Sequence, residues 1–432
     1  MKLNSTTLYQ RLSNEEDTRP CTGISDSACS EVPGNFFKIL IAQLSTKLAD
    51  SFTSSKVVLP WLLASAGAPA FFTALLVPIR ESGSLIPQLM LGGIVRQFQH
   101  RKQFYVIGSL LQGAAVALMA ISALQLNGAR LGWTIIVLLI IFSLSRGLCS
   151  IANKDVLGKT IPKARRGRLG GLSASLSGII TLLVTGSMLA FQYGSINFVV
   201  TMMVIASLFW VFAALSFGLI VEYEGATEGA GNGFKVALKN LNLLRSDNQF
   251  QRFVMVRALL MSSGLAAPFI VLLATPHTDL GGVLLFVILT GMANLISGWF
   301  WGLLADRSSR HVILLTAALS ICIFLCTALF QVTIESALSS MTILVVYLLI
   351  YFLLAITHQG VRLGRKTYLI DMADGNQRTD YVSVSNTVIG ILLLVYGAIS
   401  AVIAQCSITA VLILFSVSSC AALLIALKLK EI

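Results

Sequence analysis

Six titratable side chains stand inside stretches that are otherwise apolar: Asp50, Lys56, Arg80, Glu81, Arg146 and His358. A charge at the middle of a bilayer costs several kcal/mol unless it is paired or hydrated, so each is a candidate for the path of a solute or a proton. Asp50 and Arg80 each lie about 18–20 Å from the same membrane surface when counted along a helix. They can form a structural salt bridge, or both can face a central cavity and hold substrate or proton; the residues alone leave both readings open. Glu81 follows Arg80 directly but points about 100° away around the helix. Lys56 lies further out than this pair and Arg146 closer to the inside. The His358 imidazole can carry protons near neutral pH, or can serve as a hydrogen-bonding residue between helices. Lys56, Arg80 and Arg146 together oppose Asp50 and Glu81, and Arg257 adds to the basic side. A basic surplus attracts anions, which points to an anionic or zwitterionic small molecule. Asn294, Gln359, Asn386 and Tyr396 either line the same path or join helices.

The elements that must position these groups are membrane helices. Of 432 residues 56% are hydrophobic and 12% charged, about half the charged fraction of an ordinary soluble domain. A hydrocarbon core about 30 Å thick needs about 20 apolar residues per helix. Twelve stretches meet that length, at about 37–63, 69–92, 104–125, 132–153, 169–191, 197–221, 253–274, 281–303, 312–332, 341–361, 381–404 and 407–428. They are continuously apolar rather than alternating, which excludes a β-barrel. In lipid only a helix satisfies its own backbone hydrogen bonds along such a stretch. The expected fold is an all-α membrane protein of twelve helices in two six-helix halves.

The basic residues fix an expected orientation. With residues 1–35 inside, 24 of the 31 Lys and Arg fall in inner loops and tails, only Arg130 falls outside, and six lie within spans. In this count Arg362 and Arg365 belong to the loop after span 10. The asymmetry places both termini in the cytoplasm of a plasma membrane, expected to be a bacterial inner membrane. It also explains the net charge of +12 without nucleic acid, since the charge is spread over short loops that face anionic headgroups. Residues 12–33, rich in Ser, Thr, Asp and Glu, suit a disordered tail with no apolar core of a cleavable signal. The seven Cys suggest neither disulfides nor a metal site.

Residues 222–252 divide the spans six and six. Glycines 225, 229, 231 and 233 open this segment and an amphipathic stretch at 234–244 follows, as in a flexible linker leading into a surface helix. The expected units are therefore 1–35 as a cytoplasmic tail, 36–221 as one six-helix bundle, 222–252 as linker, 253–428 as the second bundle and 429–432 as a tail. The halves resemble each other. A shift of 210 lays Leu85, Ile86 and Gly92 on Leu295, Ile296 and Gly302. A shift of 212 lays Lys154, Arg166, Ser173 and Gly178 on Lys366, Arg378, Ser385 and Gly390, and Arg146 on His358. Duplicated six-helix halves related by an axis along the membrane normal are a transporter plan.

The loop between spans 8 and 9 reads Gly302, Leu303, Leu304, Ala305, Asp306, Arg307, Ser308, Ser309, Arg310, His311. Its copy after span 2 keeps Gly92 and the basic pair Arg101 and Lys102, but has Arg96 where an acid is expected. These loops, with Asp50 followed by Leu59, Pro60 and Trp61 in span 1, resemble the major facilitator superfamily over about residues 36–428. The resemblance implies the twelve-helix fold and transport by two halves that expose a midplane site alternately. It also implies that Gly92, Arg101, Gly302, Asp306 and Arg310 gate the inner face. Gly allows helices to approach closely, and an Asp near Arg residues can make charge-assisted contacts to the opposite half. The alternative is that these charges only stop the spans at the headgroups. Span 5 has Gly170, Gly171, Gly178 and Gly186 without Pro, so it lacks the Gly-Pro pattern of the superfamily's drug–proton antiporters.

The leading expectation is a secondary active transporter of a small solute, coupled to protons, acting as a monomer and without a cofactor. No phosphate-binding loop signature is present, so ATP is not expected to drive it. An enzyme is not expected: four His form no His-Glu-x-x-His pair and no nucleophile–base cluster stands out. The competing class is a sensor or lipid scramblase that kept the transporter fold, because a fold does not settle a function.

Overall fold

The computed structural model describes residues 30–86, 95, 97–190, 196–224, 243–278, 280–333, 335–372 and 375–431. The expected tail at 1–29, Gly92, Arg96 and most of the 222–252 linker lie outside the described residues, as does the side chain of Asp306. All twelve stretches are helical and no strand occurs among the described residues. Ten of them are long and apolar enough to cross a bilayer. The first and second need more comment because they carry the charges.

Span 1 is a broken helix, Val32–Phe52 followed by Val58–Ser65. The break at 53–57 falls in the polar run Thr53, Ser54, Ser55 and Lys56. Ser and Thr offer the backbone competing hydrogen bonds, and Thr53 donates its hydroxyl back to the Ala49 carbonyl. Span 2, Ala70–Leu85, holds Pro78 together with Arg80 and Glu81. Span 7 is also broken, into Asn248–Leu259, Ser262–Leu265 and Ala267–Ala274, and its last piece begins with Pro268 at the position where proline is tolerated. The breaks at 53–57 and 260–266 are about 210 residues apart, close to the repeat offset seen in the sequence. The two interruptions thus fall at corresponding places of the sequence repeat.

Several helices outrun the apolar stretch that announces them. Span 4 runs from Gly128 to Thr160 and span 10 from Ser340 to Asp371. At 1.5 Å per residue each is about 48–50 Å long, well over the hydrocarbon thickness. The added turns carry Lys154 and Lys159 in span 4, and Arg362, Arg365 and Lys366 in span 10. Arg362 and Arg365 are therefore helical residues and not loop residues, which corrects their assignment in the charge count.

The apolar core shows how the halves meet. Away from the termini one continuous cluster joins both halves, with Trp61, Phe72, Phe142 and Trp210 of the first and Phe269, Phe286, Phe324 and Phe415 of the second. Toward the face that carries the termini the core divides into two larger clusters and a small one on Trp301, Ala305 and Val312. One larger cluster is built on Val32, Phe36, Tyr105 and Phe217, with Tyr105 and Phe217 stacked at 3.7 Å. The other is built on Phe250, Phe253, Tyr368 and Tyr381, with Phe250 stacked on Tyr381 at 4.3 Å. The pieces Val58–Ser65 and Ala267–Ala274 pack directly on each other on the joined side. Spans 2 and 11 and spans 5 and 8 make the remaining principal contacts between halves. Leu183, Leu219, Val332 and Val417 are more than 60% exposed, as expected of side chains that meet lipid rather than protein.

Charges on the terminal face bind each half to itself. Arg101 pairs with Asp155, Lys159 bridges Asp155 and Glu222 at 3.0 Å each, and Glu222 caps span 3 by accepting from the backbone N–H groups of Arg101 and Lys102. In the other half Arg310 and His311 pair with Glu431, and Arg310 donates to the Leu427 carbonyl. Both basic groups expected to gate the inner face thus bond within their own halves in this conformation. An added Cβ at Gly302 would meet nothing within 4 Å, so no close helix approach occurs there among the described residues.

Candidate functional site

Between the halves, on the terminal side of the joined core, lies a cavity of about 840 Å³. The volume suits a small organic molecule. It is walled by spans 1, 2, 4, 5, 7, 8, 10 and 11, and the broken stretches of spans 1 and 7 both open onto it. Interrupted helices at corresponding places in duplicated halves are the arrangement by which transporters build midplane sites.

All six titratable residues singled out from the sequence line this cavity: Asp50, Lys56, Arg80, Glu81, Arg146 and His358. Asp50 Oδ1 accepts from Arg80 at 2.7 Å and from Arg146 at 2.6 Å, so one carboxylate joins spans 1, 2 and 4. Its side chain is 19% exposed, against 13% for Arg80 and 37% for Arg146. Arg80 also donates to the Ser55 hydroxyl in the break of span 1, and its guanidinium lies 5.7 Å from the Phe142 ring. Helical rise counted along the sequence puts Arg80 level with Asp50 but sets Arg146 nearer the surface, whereas in the structure both reach the same carboxylate. The reason is the length of span 4: it continues to Thr160, so Arg146 sits about 21 Å from that end.

A second constellation crosses the divide. Lys56 Nζ lies 3.1 Å from His358 Nε2, and His358 Nδ1 lies 3.0 Å from the Ser263 hydroxyl in the break of span 7. An ammonium has donors only, so Nε2 accepts. Ser263 already donates to the Leu260 carbonyl, so its oxygen accepts from Nδ1–H. The bonds therefore assign a neutral imidazole with its proton on Nδ1. The ring rests on Gly264, where an added Cβ would stand 2.8 Å from its Cε1, so only glycine admits this contact. Glu81 is exposed to the cavity, in the field of Lys56, Arg80 and Arg362, and makes no ion pair among the described residues.

Sequence reasoning missed the rest of the basic wall. Arg362 and Arg365 follow His358 at intervals of four and three, one face of span 10, and both line the cavity. Lys47 lines it from span 1. The signal was present in the 358, 362, 365 spacing, but the hydropathy of span 10 fades before Arg362 and hides the helix. Six basic side chains and two acidic ones thus face this cavity. Arg257 stays behind the wall, buried, and donates to Ser385 and Asn386. Tyr396 bonds Ser418 and so joins spans 11 and 12. Gln359 donates to Asn294 across spans 10 and 8 at the cavity surface.

On the terminal face, outside the membrane, Asp247 caps span 7. Burial works against its ionisation, but the Tyr381 hydroxyl at 2.6 Å and the N–H groups of Phe250 and Gln249 outweigh it and hold the carboxyl below its ordinary range. The same environment pushes the Tyr381 phenol up to about 12, first by burial and then by its bond to Asp247.

Comparison with known proteins agrees with this architecture. The model of the Major Facilitator Superfamily matches residues 39–363. No curated protein matches the chain by sequence. Among solved structures, an inward open conformation of the xylose transporter XylE from E. coli superposes with a TM-score of 0.64 at 12% identity, covering 92% of this chain and 97% of that one. A mutant of the nucleoside transporter NupG gives a TM-score of 0.67 at 11% identity, covering 91% and 99%. A POT family transporter in complex with a thioalcohol-conjugated peptide gives 0.68 at 10% identity, covering 94% and 98%. At such identities these likenesses speak for the fold alone, two six-helix halves of a twelve-helix transporter. The family match covers most of the chain, so the protein belongs to the Major Facilitator Superfamily: it is a multi-pass membrane transporter, and not an enzyme.

Proposed function

We propose that the protein carries a small anionic solute across the membrane by alternating access, driven by protons. The observation that carries this reading is the imbalance in the cavity wall, where Lys47, Lys56, Arg80, Arg146, Arg362 and Arg365 face only Asp50 and Glu81. Asp50 is already bonded to two guanidinium groups, which leaves Lys47, Lys56, Arg362 and Arg365 with only Glu81 to balance them. Low-dielectric walls focus such a field and raise the local concentration of anions. A neutral solute would leave these cations without a counter-charge.

The split core supports a cavity open toward the terminal face, and the charge asymmetry of the loops supports that face being cytoplasmic in a plasma membrane. We take 36–221 and 253–428 as the units that rock, joined through 222–252, with the tails at 1–35 and 429–432 outside them. One copy holds both halves, so a monomer suffices. Gly92, Arg101, Gly302, Asp306 and Arg310 would act when that face closes. Arg101 and Arg310 would then exchange their present partners for groups of the opposite half.

Lys56 and His358 provide a means of proton coupling. The Lys56–His358 bond ties the halves and needs a free lone pair on Nε2. A proton on Nε2 removes that acceptor and sets two cations side by side, with Arg362 and Arg365 adding to the repulsion on one side and Glu81 opposing it on the other. Protonation would therefore release the tie, and Lys56 would turn to Glu81 or to a bound anion.

The test is uptake into proteoliposomes holding the full chain, with labelled anionic, neutral and cationic solutes, with and without a pH gradient. Gradient-driven accumulation of an anion is the expected result. Accumulation of neutral solutes alone would defeat the anion reading. Lipid equilibration without gradient dependence would favour a scramblase.

A further inference from the structure

The cavity has two chemically different walls. The first is the cationic face of span 10, where Arg362 and Arg365 make no hydrogen bond or ion pair among the described residues and feel Glu81 of span 2 only through space. The second is a neutral amide pair. Gln359 Nε2 donates to Asn294 Oδ1, and neither amide makes another hydrogen bond among the described residues. That leaves donors on Asn294 Nδ2 and an acceptor on Gln359 Oε1, on two bonded residues that both line the cavity. A donor next to an acceptor matches a hydroxyl group, which is both. A ketone or an ether could meet only the donor, and a methyl could meet neither.

The two walls are in register. Gln359 and Arg362 are three residues apart on one helix, about 4.5 Å along its axis and on neighbouring positions of the same face. Resting on the anion-transport reading, we propose that the substrate is a small hydroxylated organic anion, such as a sugar acid or a phosphorylated sugar. Its anionic group sits at Arg362 and Arg365, and a hydroxyl one to three carbons away is held by the Asn294–Gln359 pair. The spacing favours compact polyols. A fatty acid or a simple alkyl carboxylate satisfies the first wall and wastes the second.

Binding to the purified full-length protein separates these requirements, with gluconate and glucose 6-phosphate as hydroxylated anions, hexanoate as an anion without hydroxyls and glucose as a polyol without charge. Gluconate or glucose 6-phosphate should bind about tenfold tighter than hexanoate and glucose, as expected for one or two directed hydrogen bonds added to a charge. Preference between the two acids tells carboxylate from phosphate. Gln359→Leu should lower the affinity for the preferred acid about tenfold and leave that for hexanoate within about threefold. Asn294→Ala repeats the test if that variant fails to fold. Hexanoate bound as tightly as both acids by the native protein overturns the hydroxyl inference and leaves the anion reading standing. Glucose bound as tightly as the acids overturns both. Binding of none of the four also overturns this inference, and the uptake experiment then judges the anion reading by itself.

Discussion

Lys56 of the first span and His358 of the tenth meet at 3.1 Å, and this bond joins the two halves at the level where spans 1 and 7 are broken. The helix interruptions bring backbone and short polar side chains to the cavity, and the imidazole reaches Ser263 only because Gly264 lets it lie against span 7. The cavity, the helix breaks and the tie between halves are one structure.

Asp50 should prove more important to folding than to specificity. It is the single carboxylate between Arg80 and Arg146, and removing it leaves two cations facing each other away from bulk water. Asp50→Asn is expected to cost on the order of 1–3 kcal/mol, less than for a fully buried ion pair because Arg146 is 37% exposed to the cavity. Adding Arg80→Gln should recover part of the loss, because Arg146 alone can still reach the asparagine oxygen. Thermal stability of the native protein and the two variants in detergent checks this. An Asp50→Asn protein as stable as the native one would mean that water already screens the pair.

Arg362 should act on affinity. Its side chain is exposed to the cavity and free of partners among the described residues, so Arg362→Gln should fold normally. A charge-assisted hydrogen bond is worth about 1.5–3 kcal/mol, so the apparent Kd for the transported anion should rise at least tenfold. Arg365→Gln should act in the same direction. Titration of each variant with the anion found by uptake is the check, and an unchanged Kd in both would remove span 10 from the site.

How much of this was readable beforehand follows from the lengths of apolar runs. All twelve helices were legible because lipid demands long continuous stretches, and the Asp50–Arg80 proximity was legible because helical rise turns residue number into depth. Arg362 and Arg365 were not, since a basic residue just past an apolar run reads the same whether it meets headgroups or a hydrated cavity. The Lys56–His358 bond was hidden for another reason. It depends on breaks in spans 1 and 7 that hydropathy averages over, and on a contact 302 residues apart in sequence.

The Asp247–Tyr381 contact should leave a trace in the pH dependence of stability. Asp247 has its carboxyl held below the ordinary value of 3.8 in the folded protein. Its contribution is therefore fully present above pH about 4 and is lost as pH falls through the lowered folded value. The stability difference between the native protein and Asp247→Asn should be constant from pH 5 to 8 and shrink at lower pH. A difference that instead grew on acidification would contradict the assignment.

In the proposed cycle His358 ties the halves and releases them on protonation, and one variant tests this most directly. Glutamine at this position can still accept from Lys56 and donate to Ser263, but it cannot take up a proton. Uptake of the labelled anion into proteoliposomes should be measured for native protein and His358→Gln, both under an inward proton gradient and as exchange at equal pH. We predict that the variant exchanges solute at a rate within a few-fold of native and fails to accumulate it above equilibrium. Accumulation by His358→Gln equal to that of the native protein would contradict the account.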